Sequence, residues 1–231
     1  MTNNVSLLAS NGVTVGQSIY VANNTNSATR TIGLSGAGTN TFTNQFYLDG
    51  TLTVNAGTNA SDKVTISGNI TNTGGLIRTN LGTLVLSGSN SYTGGTTMAL
   101  GTNNGTILIG NDFAFGTGGV TNLAKGGTFQ ADVARTVANA FTIDNDTVFT
   151  GAGSLVINGA LTLTASPSIT NNLTGGLTLG NLTMGNNGTS RTLTLKGTGN
   201  TTVNGVIANA AAQTTNNLTL NSSGVTTLNG A

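Results

Sequence analysis

The feature that most constrains this chain is an apolar-x-apolar triplet that returns from one end to the other. Ile32 and Leu34, Leu52 and Val54, Val64 and Ile66, Leu84 and Leu86, and Ile107 and Ile109 are its first members. Leu155 and Ile157, Leu161 and Leu163, Leu177 and Leu179, Leu182 and Met184, Leu193 and Leu195, and Leu218 and Leu220 continue it. A period of two places each pair on one face of a strand and turns the intervening residue, usually Thr, outward. Thr suits that outer face, because its β-branched carbon favours extended backbone and its hydroxyl needs no buried partner. Helical spacing of comparable length is absent, apart from the Ala-rich residues 207–213, the one candidate helix.

Between the triplets stand Asn-Gly steps: Asn104-Gly105, Asn158-Gly159, Asn187-Gly188 and Asn204-Gly205. Both residue types tolerate positive φ and so permit sharp corners. The same steps could close two-residue hairpins in an antiparallel protein. Repetition argues for stacking instead, because a solenoid repeats a whole unit whereas a sandwich merely alternates strands and turns. Residues 30–41 read RTIGLSGAGTNT and residues 191–202 read RTLTLKGTGNTT, with a looser copy at 154–163. With about 20 to 25 residues, three strands and three bends per coil, the pattern predicts an all-β parallel β-helix of about ten coils, ~4.8 Å apart and about 50 Å long. Residues 1–231 read as a single such β-helix, either a segment of a longer repeat protein or a stacking subunit.

Composition narrows the function. Thr, Gly and Asn supply 113 of the 231 residues and charged residues only 6%, yet 36% of the chain is hydrophobic and Pro167 is its one proline. Disordered chains lack that apolar content, so this one is expected to fold. A formal net charge of +1 sets up no field for a polyanion or an anionic bilayer, so neither nucleic acid nor membrane is an expected partner of this segment. His, Cys, Trp and Glu are absent, which removes imidazole bases, thiolate nucleophiles, disulfides and zinc sites built on Cys or His. No stretch approaches the roughly 20 apolar residues of a membrane helix, and residues 1–8 lack an export pattern, so any signal or anchor is expected outside this chain.

Residues 81–110 read LGTLVLSGSNSYTGGTTMALGTNNGTILIG. This segment closely resembles the autotransporter-associated β-strand repeat, also called the passenger-associated transport repeat. That family's wording is a Gly-Thr-Leu-x-Leu-x-Gly strand followed by Asn-x-Tyr-Thr-Gly-Gly-Thr-Thr. The matching positions are Gly82, Thr83, Leu84, Leu86 and Gly88, then Asn90, Tyr92, Thr93, Gly94, Gly95, Thr96 and Thr97. Residues 64–75 resemble the usual lead-in, and 29–55 and 126–159 resemble more divergent coils. The resemblance implies a right-handed parallel β-helix on the outside of a bacterial cell. It brings no catalytic residues and no cofactor. A structural rod or filament segment of an autotransporter-type passenger is the expected role, with an adhesin or carbohydrate-binding surface module as the alternative and a polysaccharide-degrading β-helix third.

The enzyme reading rests on two of the six carboxylates, Asp144 and Asp146, which could flank a glycosidic bond if they shared a strand face. Against it, Asp144-Asn145-Asp146 has the composition of a corner. Gly94-Gly95, Gly118-Gly119 and Gly175-Gly176 lack the Lys and helix that a phosphate cradle requires, so they too read as corners. Phe113, Phe115, Phe129, Phe141 and Phe149 cluster in the central third, where an interior aromatic stack is favoured over an exposed sugar platform. No metal site is expected. Finally, the terminal coils carry apolar residues and no charge: Leu7, Val13 and Val15 at one edge, Leu220 and Leu228 at the other. Unguarded edges of this kind pair with further strands, so the expected partner is the protein itself, through end-to-end stacking of coils, or neighbouring repeats of the same polypeptide.

Overall fold

A computed structural model describes residues 4–23, 29–99, 105–185, 189–210 and 215–230. All regular structure among them is β-strand, and the strands pair in parallel from one circuit of the chain to the next. The first face is a ten-stranded sheet of Val5–Ala9, Arg30–Leu34, Leu52–Asn55, Leu76–Thr79, Thr96–Met98, Val120–Asn122, Phe141–Ile143, Leu161–Leu163, Leu182–Met184 and Ile207–Asn209. The second, also ten-stranded, runs from Thr14–Val15 and Thr39–Phe42 through Lys63–Ile66, Thr83–Leu86 and Thr106–Ile109 to Thr192–Gly197 and Asn217–Ser222. A third face is regular only in part. Ile19–Val21, Phe46–Leu48 and Ile70–Thr71 form a three-stranded sheet, and Arg135–Val137, Leu155–Ile157, Leu177–Leu179, Thr201–Val203 and Thr226–Leu228 a five-stranded one. The protein is therefore a parallel β-solenoid of about nine turns, and the hairpin alternative is excluded.

Circuit length agrees with the sequence reading. Along the first face the register step runs from 20 residues (Leu76 to Thr96) to 25 (Val5 to Arg30). The triplets point inward as expected and build one continuous core, on whose last rung Leu218 is partly buried and Leu220 exposed. Ile32, Val54, Met98, Ile143, Leu163 and Met184 lie in a single column of the first face, and each is buried. Between rungs, Phe129 stacks on Phe149 at 5.7 Å and meets Phe141 edge-on at 5.4 Å, with Phe115 packed edge-on against both Phe129 and Phe141. The expected interior aromatic stack is present without Phe113, which is 60% exposed. It belongs to a turn, where the period of two that would have turned it inward does not apply.

Asn residues staple the corners. Asn171 accepts from the Leu173 N–H at 3.0 Å and donates to the Asn200 carbonyl at 2.8 Å and to the Thr201 hydroxyl at 3.0 Å, one rung on. Asn122 repeats the arrangement with Ala124 N–H, the Asp146 carbonyl and the Thr147 hydroxyl. On the outside, Asn204 and Asn229 join amide to amide at 2.9 Å across successive rungs. Gly151 has φ of 123°, and a Cβ there would stand 2.2 Å from the Ala131 carbonyl oxygen, so only glycine lets these rungs approach.

Two expectations need correction. The Ala-rich stretch is not a helix where it is described: Ile207–Asn209 is a strand paired with Leu182–Met184, because a solenoid rung offers its backbone a ladder that outweighs the weak preference of Ala. Residues 211–213 lie outside the described residues, as do Asn104, Asn187 and Gly188. The two aligned copies, moreover, sit on different faces. Arg30–Leu34 lies in the first sheet, whereas Thr192–Gly197 lies in the second. Each face needs the same strand, corner and strand, so the wording recurs one face out of step.

We expect Asn171→Ala to remove the side-chain partner of the buried Leu173 N–H and Thr201 hydroxyl and to cost about 1–3 kcal/mol. Gly151→Ala should cost more, through both the clash and the strained φ. Outward Thr162→Ser should stay within about 0.5 kcal/mol. Thermal unfolding followed by circular dichroism checks the ranking.

Candidate functional site

The segment that resembles the repeat family lies where the third face loses its regular strands. Leu84 and Leu86 enter the core from Thr83–Leu86, and the chain then turns through Gly88. Asn90 is buried, accepting the Ile70 N–H at 2.8 Å and donating to the Ala114 carbonyl at 2.7 Å. It thereby spans three rungs. Tyr92 is fully buried, with its hydroxyl against that of Thr96, and burial pushes its phenol well above the usual range. Thr93 N–H donates to Asn72 and Gly94 N–H to Gly74, keeping the rungs joined where strand geometry lapses. Gly95 takes φ of 80°, and a Cβ on Gly94 would lie 2.5 Å from Gly74. Gly82 and Gly88 are closed in the same way, by the Ala56 and Gly68 carbonyls. Thr96 then opens Thr96–Met98 on the first face.

The edge residues are placed as follows. Val5–Ala9 pairs on one side only among the described residues, with Leu7 46% exposed. A groove of about 240 Å³ opens there between Leu7, Ile19, Val21 and Ile32. Val13 is half-buried, its N–H held by the Asn40 side chain at 3.0 Å, and Val15 packs on the core. At the other edge Leu220 is 52% exposed, and Leu228 is exposed beside it.

The carboxylates do not converge. Asp144 and Asp146 occupy the corner before Thr147–Gly151 and each serves the next rung, Asp144 accepting the Thr164 hydroxyl at 2.7 Å and Asp146 the Ser168 N–H at 2.7 Å. They share no strand face, so the arrangement on which the enzyme reading rested is not formed. Asp112 pairs with Arg135 at 3.8 Å. Asp62 is buried, holding Gly38 N–H at 2.8 Å and both the backbone and side-chain nitrogens of Asn59. These hydrogen bonds, chiefly the one from the Asn59 backbone, hold its carboxyl below the ordinary range. No group of three or more potential metal ligands occurs among the described residues.

Two features escaped the sequence reading. Arg78 takes an inward position in Leu76–Thr79 and is fully buried in register with Val54 and Met98. One guanidinium nitrogen donates to the Gly82 carbonyl, while Nε and Nη1 have no partner among the described residues. Burial lowers its pKa to about 10. The second feature faces outward. Tyr20 and Tyr47 are register partners on the three-stranded sheet, 66% and 36% exposed, with ring centroids 6.3 Å apart at 38°. The Tyr20 hydroxyl donates to Asp49, whose other oxygen accepts from Asn72 at 2.9 Å. That hydroxyl first, then the Asn72 amide, holds the Asp49 carboxyl low, and Asp49 in turn raises the Tyr20 phenol. Both features were readable: Leu76-x-Arg78 fills a triplet slot, and Ile19-Tyr20-Val21 and Phe46-Tyr47-Leu48 are triplets with tyrosine in the outward place.

Among known proteins, the adhesin BmaC autotransporter of Brucella suis biovar 1 (strain 1330) is 36% identical to this chain over 157 residues, 64% of the chain and 4% of that protein. The chain thus spans a small fraction of the length of the relative it matches. No family model matches, and no solved structure does.

Two measurements test the local geometry. Tyr92→Phe should cost about 1 kcal/mol by leaving Thr96 unpaired, and Tyr92→Ala about 3–5 kcal/mol by opening a cavity. Because the folded pKa of Asp62 is depressed, its contribution is present above the ordinary carboxylate value of 3.8 and is lost as pH falls through the lower folded value. Acid titration of Tm should therefore show a drop that Asp62→Asn flattens.

Proposed function

We propose that this chain is a length of rigid rod in an autotransporter-type passenger on a bacterial surface, built from passenger-associated transport repeats and exposed outside the cell. The observation that carries the reading is the pair of unbroken ten-stranded ladders around one continuous apolar core. Similarity to an autotransporter adhesin supports it. Its interior satisfies its backbone from rung to rung, which suits a spacer that resists proteolysis. The edges pair with further coils, of the same polypeptide or of a second copy. Contact of one copy's last rung with another's first is heterologous, and when it does not close it generates a filament. A non-enzymatic role is supported by the similarity to an adhesin, and the residues that the repeat resemblance emphasises are spent on packing.

A second reading, adhesion, is favoured by the similarity to an autotransporter adhesin and by the exposed tyrosines of the three-stranded sheet. An adhesive rod recognises a partner with its outward residues while the same core holds them in line.

Stacking predicts concentration-dependent linear assembly of the isolated chain by light scattering and electron microscopy. Leu220→Lys together with Leu228→Lys should abolish it, because a buried unpaired charge at the joint is costly. A chain that stays monomeric at millimolar concentration, or assembly indifferent to both lysines, refutes stacking of copies.

A further inference from the structure

The outer surface of this solenoid is mostly Thr, Ser, Asn and Gly, small side chains that present a flat polar face. Of the exposed aromatics among the described residues, Phe113 stands alone in a turn, whereas Tyr20 and Tyr47 stand side by side on neighbouring rungs. Their exposure has different origins. Tyr47 is flanked by Tyr20 on one rung and Thr71 on the next, so its 36% exposure is that of an outward residue within the sheet. Tyr20 lies on the first described rung and is freer.

Beside the rings is an acceptor. Asp49 is fixed from both sides, by the Tyr20 hydroxyl on the rung before and the Asn72 amide on the rung after. Asn72 itself takes φ of 77°, a left-handed conformation that asparagine tolerates and that accompanies the contact of its amide with Asp49. The side chains of Tyr20, Asp49 and Asn72 are thus set before any ligand arrives, which lowers the entropy cost of binding.

From this geometry we infer that Tyr20, Tyr47, Asp49 and Asn72 form a binding site for an uncharged oligosaccharide, with pyranose rings laid on the tyrosines and sugar hydroxyls directed at Asp49 and Asn72. The inference deepens the adhesive reading and rests on it for its biological setting. Three features select the ligand. A pyranose has an apolar C–H face that matches an aromatic ring, and the two tyrosines, exposed on neighbouring rungs with ring centroids 6.3 Å apart, offer two such rings at the surface. An ionised carboxylate accepts and cannot donate, so it takes hydroxyl donors and opposes anions, while the Asn72 amide supplies both functions. The platform is also small. A stable protein partner needs roughly 800 Å² on each side with buried aromatic anchors, and the flat threonine face around two rings offers no such core.

The test is calorimetric titration of the purified chain with cellohexaose, maltohexaose and chitohexaose, and with a hyaluronan hexasaccharide as the anionic comparison. At least one uncharged sugar should bind. Tyr20→Ala with Tyr47→Ala should weaken binding about tenfold or more, Asp49→Asn should weaken it several-fold, and Phe113→Ala should leave it unchanged, with circular dichroism showing each variant folded. Binding with that dependence supports the site whether or not cells displaying the rod attach to anything, so attachment tests the adhesive reading separately. No binding of any uncharged sugar at millimolar concentration overturns the proposal, as does binding indifferent to both tyrosines. Tighter binding of the hyaluronan fragment, or tyrosine-dependent capture of a protein in place of sugars, overturns the assignment of ligand class.

Discussion

The backbone ladder between rungs is the constraint on which everything else in this molecule depends. Parallel strands exchange N–H and C=O groups with the rungs above and below, which fixes the rung spacing at ~4.8 Å and requires the chain to regain the same angular position once per circuit. With circuits of 20 to 25 residues on the first face and strands of two to six, the corners are short. They must turn sharply while another rung passes just above. Glycine answers the second demand, as the 2.2 Å between a notional Gly151 Cβ and the Ala131 oxygen makes plain. Asparagine answers the first, because its amide imitates a peptide group and satisfies the donors and acceptors that the corner frees.

Charge becomes dispensable in such a structure. Backbone groups are paired by neighbouring rungs and inward side chains are mostly apolar, so the chain folds with charged residues at 6% of its length. The buried polar exceptions show how strict the rule is. Asn122 and Asn171 are each supplied with partners on their own rung and the next. Asp62 is ringed by N–H groups and stays ionised for that reason. Arg78 alone among these is under-supplied, with one carbonyl for its guanidinium, and its lowered pKa records the cost of burying the charge.

Much of this architecture was legible in the sequence, and the limits of that legibility are physical. A triplet states which residues point inward, so Leu84, Leu86 and Ile157 could be placed in a core without knowing the fold. It does not state which face a strand occupies. The likeness of residues 30–41 to 191–202 was real, yet the copies lie on different sheets, since all faces of a solenoid impose the same inward apolar pair and the same compact corner. Phe113 was misplaced because a turn carries no period of two. Arg78 and the two tyrosines were hidden for the opposite reason: they obey the triplet, one inside and two outside, but a search for apolar pairs passes over an inward cation and over the residue between the pair. The carboxylates at Asp144 and Asp146 were separable only with the corner in view, because spacing by two means a shared face in a strand and nothing in a bend.

That division between inward and outward positions bears on what a shared motif can say about function. In the segment that resembles the repeat family, Leu84, Leu86, Asn90, Tyr92 and Thr96 are all buried, and the partners found for Asn90 and Tyr92 belong to the fold itself. Such a motif is a requirement of stacking. Here it closes the rung between Thr83–Leu86 and Thr96–Met98, where the third face has no regular strand. The outward position of a triplet is under no such requirement: exchanging Thr for Tyr there alters neither the ladder nor the core. The positions that the motif leaves blank are therefore free to change from rung to rung while the wording of the strands and corners stays the same.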